Sequence, residues 1–211
     1  MQRSPQQIRQ ALEGLSWTPH IHIESLPPEV MLVEGDSREA AVLIALVERQ
    51  GQMCVLLTRR TDKMRNHSGE ISFPGGRRDL EDETLLDTAL RESWEEVSLE
   101  DHELTVFGLF LRMPTVTNFD VWAFVAEFED LRQLTHNADE IDYMIYAPLN
   151  LLAREGVHRM TPRIYNGQPY PIHFFDVHLH GLGTQPVWGA TAYMLVELLR
   201  YLGMLPQESS T

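Results

Sequence analysis

Glu92, Glu95 and Glu96 carry the first chemical signal in this chain of 211 residues. At about 100° per residue, with Glu92 as origin, a helix puts Glu95 near 300° and Glu96 near 40°. Three carboxylates then share one helix face. Leu86, Leu90, Val97 and Trp94 fall between about 120° and 200°, an apolar stripe expected to anchor the helix on a sheet. Acids three and four positions apart repel, each pair costing about 0.2–0.5 kcal/mol. Arg91 relieves only Glu95, four positions on. Hard oxygen ligands beside a glycine-rich loop suit Mg²⁺ or Mn²⁺, with loop carbonyls and substrate phosphates completing the coordination. On periodicity alone, three solvated acids remain the alternative.

The charges around this helix are segregated. Of the 17 basic residues every one but Lys63 is an arginine, and Arg59, Arg60, Lys63, Arg65, Arg77 and Arg78 crowd into 59–78. Acids follow at once: Asp79, Glu81, Asp82, Glu83, Asp87 and the helix carboxylates. Arginine forks for phosphate and carboxylates for a cation suit a metal-complexed polyphosphate. The net charge of −14 argues against a nucleic-acid partner or an anionic membrane surface, which need a basic footprint. The longest apolar run, residues 40–47, is far too short for a membrane span, and the first residues lack a secretory core, so a cytoplasmic location is expected. The single cysteine, Cys54, excludes an internal disulfide and reads as a small core residue.

The elements that must position these groups follow from turn residues and periodicity. A helix is expected over 5–14, then an irregular strap to 38. Strands at 40–48 and 52–60 meet in a turn at Gln50-Gly51. A long loop covers 61–82, with Gly69 and the sequence FPGG at 73–76. The acidic helix spans 83–97. Strands follow at 103–113, 120–128 and 141–147, a short helix from Pro148-Leu149, and strand-like runs near 158–165 and 170–179. Residues 187–203 read as an amphipathic helix and 206–211 as a tail. Strands before and after a central helix indicate an α/β protein of the mixed α+β kind, with a mixed sheet between helices. The expected organisation is an N-terminal helix and strap (1–38) packed on one domain (39–205).

Residues 75–99, GGRRDLEDETLLDTALRESWEEVSL, resemble the Nudix box, commonly written G-x5-E-x7-R-E-U-x-E-E-x-G-U with U apolar. Glu83, Arg91-Glu92 and Glu95-Glu96 reproduce its charged skeleton. Six residues rather than five separate Gly76 from Glu83, Ser93 takes an apolar position, and Ser98 takes the place of glycine. The resemblance implies a Nudix α/β/α sandwich with Glu92, Glu95 and Glu96 as ligands of Mg²⁺ or Mn²⁺. It further implies an Arg91–Glu83 ion pair holding loop to helix, and a ligating carbonyl near Gly75 or Gly76. Upstream, 56–76 resembles the added signature of the coenzyme A diphosphatase branch, through Leu56, Leu57, Thr58, Arg60, Arg65, Gly69, Phe73, Pro74, Gly75 and Gly76. That branch also tolerates the longer loop before Glu83. Thr61 departs where Ser or Ala is usual, and Trp122-Ala123 replaces the expected Thr-Pro.

The resemblance implies hydrolysis of the coenzyme A diphosphate to 4′-phosphopantetheine and adenosine 3′,5′-bisphosphate. A broader nucleoside-diphosphate hydrolase acting on ADP-ribose or NADH is the alternative, as is a nucleotide sensor that does not cleave. The partner is thus a small nucleotide of the coenzyme A class, and a homodimer is compatible with all three. Arg60, Arg65, Arg77 and Arg78 are candidates for the 3′-phosphate, and His67 for a phosphate or ribose contact or a loop hydrogen bond. Catalysis is assigned to Glu95 or Glu140 as base, with Arg91 in the same set; Asp139 and Asp142 are weaker alternates. His20 with His22, and His178 with His180, lack a third ligand for a transition metal. Tyr170, Phe174, Phe175 and Trp188 read as core.

Overall fold

The structure is a computed structural model and describes residues 1–18, 37–63, 67–115, 117–130, 133–165, 168–179, 181 and 183–206. The expected strap and tail therefore lie largely outside the described residues. Helix α1 (Pro5–Leu12) starts where Ser4 accepts from the Gln7 amide and Gln7 answers the Ser4 amide, with Pro5 at the first turn. Strands β1 (Arg38–Arg49) and β2 (Gln52–Arg60) form a hairpin, Gln50 and Gly51 both turning at positive φ. The long loop holds two short strands the sequence did not betray, β3 (Ile71–Ser72) and β4 (Gly75–Arg77). Helix α2 (Leu85–Val97) begins at a Thr84–Asp87 capping box and ends on Ser98 at φ 56°. Ser98 thus does the work of the usual glycine in a conformation that glycine tolerates better.

Strands β5 (Leu104–Pro114), β6 (Phe119–Phe128) and β7 (Ile141–Pro148) complete the main sheet. It runs β3-β2-β1-β6-β5, with β4 added to β1 and β7 to β2. The β1–β6 pair is parallel and the remainder antiparallel, so the sheet is mixed as expected. A short helix α3 (Leu149–Leu152) leads into a second sheet of β8 (His158–Tyr165), β9 (Gln168–Leu179) and β10 (Gly183–Trp188), ordered β10-β9-β8. Helix α4 (Gly189–Tyr201) follows. It starts two residues later than its apolar pattern suggested, because Val187 and Trp188 pair with Phe175 and Phe174 of β9.

Alternation along β1 explains its apolar run. Ala41, Leu43, Ala45 and Val47 pack with α2 on one face. Ile44 and Leu46 face α1, α4 and the second sheet through Ile8, Leu12, Leu195, Leu199 and Phe175. A strand covered on both faces has no polar side to show. Cys54 lies in the α2-side core, where burial pushes its thiol up. Phe175 is core, whereas Trp188 remains 44% exposed at the start of α4. Among the described residues no helix is long and apolar enough to cross a membrane.

One expectation about α2 holds only in part: Val97 is buried and Leu86 packs against the core, but the stripe does not anchor the helix as a whole. Trp94 is 57% exposed, and Leu86 and Leu90 are only half-buried. The buried side is Leu85, Thr88, Ala89, Ser93, Glu96 and Val97. The helix therefore approaches the small Ala41 and Ala45 with its own small residues, where an indole would not fit. Ser93, an apparent departure, is fully buried, and its hydroxyl is satisfied by the Ala89 carbonyl at 2.7 Å. Two of the three carboxylates thereby turn toward protein rather than water.

Candidate active site

The FPGG segment fixes the floor of the site. Phe73 is buried, and the Pro74 carbonyl accepts from the Leu43 amide at 2.9 Å. Gly75 has φ +150°, and a Cβ there would stand 2.4 Å from the Ala41 carbonyl. A Cβ on Gly76 would meet the Glu92 carboxylate at 2.5 Å. Both glycines are therefore required, one by the β1 backbone and one by a carboxylate.

The loop after β4 is held by an acid other than the expected one. Arg91 donates through Nε and Nη2 to Asp82, each at 3.0 Å, and through Nη2 to the Arg77 carbonyl at 3.1 Å. Asp82 also accepts from the Thr88 hydroxyl and the Asp79 amide, and the Arg91 guanidinium draws its carboxyl down to about 2. Glu83 faces solvent instead, and among the described residues only its carbonyl is engaged, by Arg78 Nη2 at 2.8 Å. The extra loop residue causes the exchange: five residues separate Gly76 from Asp82, so the acid keeps its spacing from the glycine rather than from Arg91. That count was available in the sequence. Arg78, expected at the substrate, also grips Glu39 and the Asp82 carbonyl. It braces the loop.

The carboxylates form a graded set. Glu96 is 2% exposed, Glu92 is half-buried, and Glu95 stands near the surface. Arg91 Nη1 donates to both Glu92 and Glu95 at 3.1 Å. Arg60, expected at a phosphate, instead donates to Glu96 Oε1 at 3.1 Å and lies 3.7 Å from Glu140 Oε2. Burial pushes the Glu96 carboxyl up to about 8 despite Arg60, with Glu92 and Glu140 adding repulsion. Burial likewise raises Glu92. Glu140, far from α2 in sequence, is brought in twice over. Arg60 pairs with Ile141 across β2 and β7, and the Asn137 amide caps the Glu96 carbonyl at 3.0 Å.

The other expected residues divide plainly. His67, at φ 55°, bonds Glu70 at 2.8 Å and serves the loop. Arg65, His20, His22 and His180 lie outside the described residues. Asp142 is engaged by Arg59, which also holds Asp62. Arg77 is exposed on β4 and has no acidic partner among the described residues. Trp122 is half-buried on the α2 face, its N–H on Asp120 at 3.3 Å and the Arg112 guanidinium over its ring. Ala123 is core on the other face.

The donor set suits a hard divalent cation. Glu96 Oε2 is buried and makes no hydrogen bond of ordinary geometry, an orphan acceptor beside Glu92 and Glu140, with the Gly75 amide near the carboxyl favouring its charged form. Among the described residues no ready-made cluster of ligands converges, since each helix carboxylate is turned toward an arginine.

Comparison with known proteins settles the family. The NUDIX domain model matches residues 37–165. A Citrobacter koseri protein named "Uncharacterized Nudix hydrolase NudL" is 30% identical over 187 residues, spanning 86% of this chain and 91% of the relative. Its namesake from Salmonella heidelberg is 31% identical over 193 residues with the same coverage. The crystal structure of a MutT/nudix family protein from Enterococcus faecalis superposes with a TM-score of 0.50 at 16% identity, covering 84% of this chain and 64% of that one. At that identity it speaks for the fold alone. The chain belongs to the Nudix family and is a Nudix hydrolase, of a class that acts on nucleoside diphosphates and generally needs a divalent metal.

Proposed function

We propose that the protein hydrolyses the diphosphate of coenzyme A or its derivatives, giving 4′-phosphopantetheine and adenosine 3′,5′-bisphosphate. The observation that carries the chemistry is the buried Glu96 carboxylate, with one orphan oxygen, set beside Glu140 and beside Glu92, which lies against Gly76. Glu92, Glu95 and Glu96 would hold Mg²⁺ or Mn²⁺, which supplies charge neutralisation for the attacked and leaving phosphate oxygens. Glu140 or Glu95, the accessible carboxylates, would take the proton from the attacking water. Arg91 fixes the orientation of Glu92 and Glu95 while Asp82 fixes Arg91.

The substrate assignment rests on the upstream signature from Leu56 to Gly76. Coenzyme A adds a 3′-phosphate to the diphosphate, and of the described candidate arginines Arg77 is the one with no acidic partner among the described residues. Incubation with coenzyme A and Mn²⁺, with products resolved by mass, tests the reading. The expected products are the two named above. Brisk cleavage of ADP-ribose or NADH with none of adenosine 3′,5′-bisphosphate would overturn it in favour of a broader hydrolase. Tight nucleotide binding without turnover at any divalent metal would mark a sensor.

A further inference from the structure

The arginines around the carboxylates differ in how firmly they are held. Arg91 makes a two-point fork on buried Asp82. Arg59 is pinned between Asp62 and Asp142, and Arg78 between Glu39 and two loop carbonyls. Among the described residues Arg60 has one short side-chain hydrogen bond, to Glu96 Oε1 at 3.1 Å, and one longer contact, to Glu140 at 3.7 Å. Its backbone is anchored, the amide donating to the Glu70 carbonyl at 3.0 Å at the end of β2. Only the side chain is free to leave. The oxygen it leaves unserved on Glu96 is the orphan.

We propose that Arg60 is an exchange residue: its guanidinium stands in for a divalent cation on Glu96 and Glu140 and passes to a substrate phosphate when metal and diphosphate arrive. The inference rests on the reading of Glu92, Glu95 and Glu96 as metal ligands. A guanidinium and a dication compete for the same buried carboxylate, so entry of the metal releases the arginine. The released fork is matched to phosphate oxygens and reaches them from the same strand end. Metal and diphosphate therefore bind cooperatively, and by linkage each tightens the other by the same factor. This places Arg60 at the diphosphate rather than the 3′-phosphate.

The test is Mn²⁺ binding to the full chain, by calorimetry, with and without the α,β-methylene analogue of ADP. Arg60→Gln should bind Mn²⁺ alone several-fold to about tenfold more tightly, while the tightening that the analogue produces, part of which is direct contact of its phosphates with the metal, falls several-fold below that of the parent protein. Arg60→Lys keeps a cation on Glu96 without the fork. It should bind Mn²⁺ at close to parent strength with weakened coupling, and it carries the test if the Gln variant does not fold. Weaker Mn²⁺ binding in Arg60→Gln would show that Arg60 merely positions Glu96. Tighter binding with unchanged coupling would reduce its role to repulsion. Either result overturns the exchange. Absence of Mn²⁺ binding in the parent protein would instead overturn the metal-ligand reading beneath it.

Discussion

Gly76 and Glu92 are in such close register that a methyl on the glycine would stand 2.5 Å from the carboxylate carbon and one oxygen and 2.7 Å from the other. The obstructing atoms are the end of a side chain that can turn aside. Gly76→Ala should therefore fold with a melting temperature within a few degrees of the parent, yet lose Mn²⁺ affinity and most turnover. Gly75→Ala should behave in the opposite way. Its Cβ would meet the Ala41 carbonyl at 2.4 Å and the backbone cannot yield, at a φ that favours glycine. A loss of about 2–4 kcal/mol is expected, measured by urea denaturation of the two variants side by side.

Asp82→Asn should cost about 2–3 kcal/mol, since it leaves the Arg91 fork without its buried counter-charge. Glu83→Gln should change stability by less than about 0.5 kcal/mol. If the two losses were reversed in denaturant melts, the brace would belong to Glu83 after all. The sign with pH follows from Asp82 lying lower in the folded protein, near 2, than in the unfolded chain. Its contribution is complete above the ordinary carboxylate range and is lost as pH falls from about 4 toward 2.

Glu96 works in the opposite sense. Its folded carboxyl lies near 8, above the unfolded value, so the folded metal-free protein holds a proton that the unfolded chain has released. Stability of the metal-free protein therefore falls as pH rises from about 4.5 to 8. Glu96→Gln should remove that slope. In EDTA the variant should melt above the parent at pH 8–9, and the advantage should vanish near pH 4.5. With Mn²⁺ present the variant should lose most activity, and parent Mn²⁺ affinity should climb with pH up to about 8 as the proton is expelled. A pH-independent Mn²⁺ affinity between 6 and 8 would contradict this account of Glu96.

Arg77→Ala should penalise coenzyme A more than dephospho-coenzyme A, by several-fold to about a hundredfold in kcat/KM, the span expected of a charge-assisted phosphate contact. The difference should shrink with added salt. Arg78→Ala should harm both substrates alike and lower the melting temperature, because Arg78 holds Glu39 and the loop carbonyls. Equal losses on both substrates for Arg77→Ala would remove it from the 3′-phosphate.

Much of this was legible in the residues. Ser4 and Thr84 announce their helices through local capping, and β1 and β2 declare themselves through β-branched and aliphatic runs broken by Gln50-Gly51. The acid triad and FPGG mark the site without help from the fold. What escaped depends on partners distant in sequence. Trp94 belongs to the greasier stripe of α2, yet the helix buries Glu96, because Arg60 and the glycine loop offer that carboxylate polar company. Asp82 keeps the motif's spacing from Gly76 while Glu83 keeps its spacing from Arg91, and only the folded loop decides which acid Arg91 holds. Strand β10 was hidden inside an apparent helix start, since its identity depends on β9.

The parallel pairing of β1 with β6, from Arg38 opposite Phe119 to Val47 opposite Phe128, has a kinetic consequence. It closes a loop of roughly eighty residues, a costly entropic step that long-range sheets complete late. The carboxylates of α2 assemble early, within one helix, but β4 and its Gly76 are held by β1, at the centre of that late-forming sheet. A nascent chain therefore displays its acids before it owns a floor to set them on. Divalent ions can reward only the finished barrier crossing, so they should slow unfolding far more than they hasten folding.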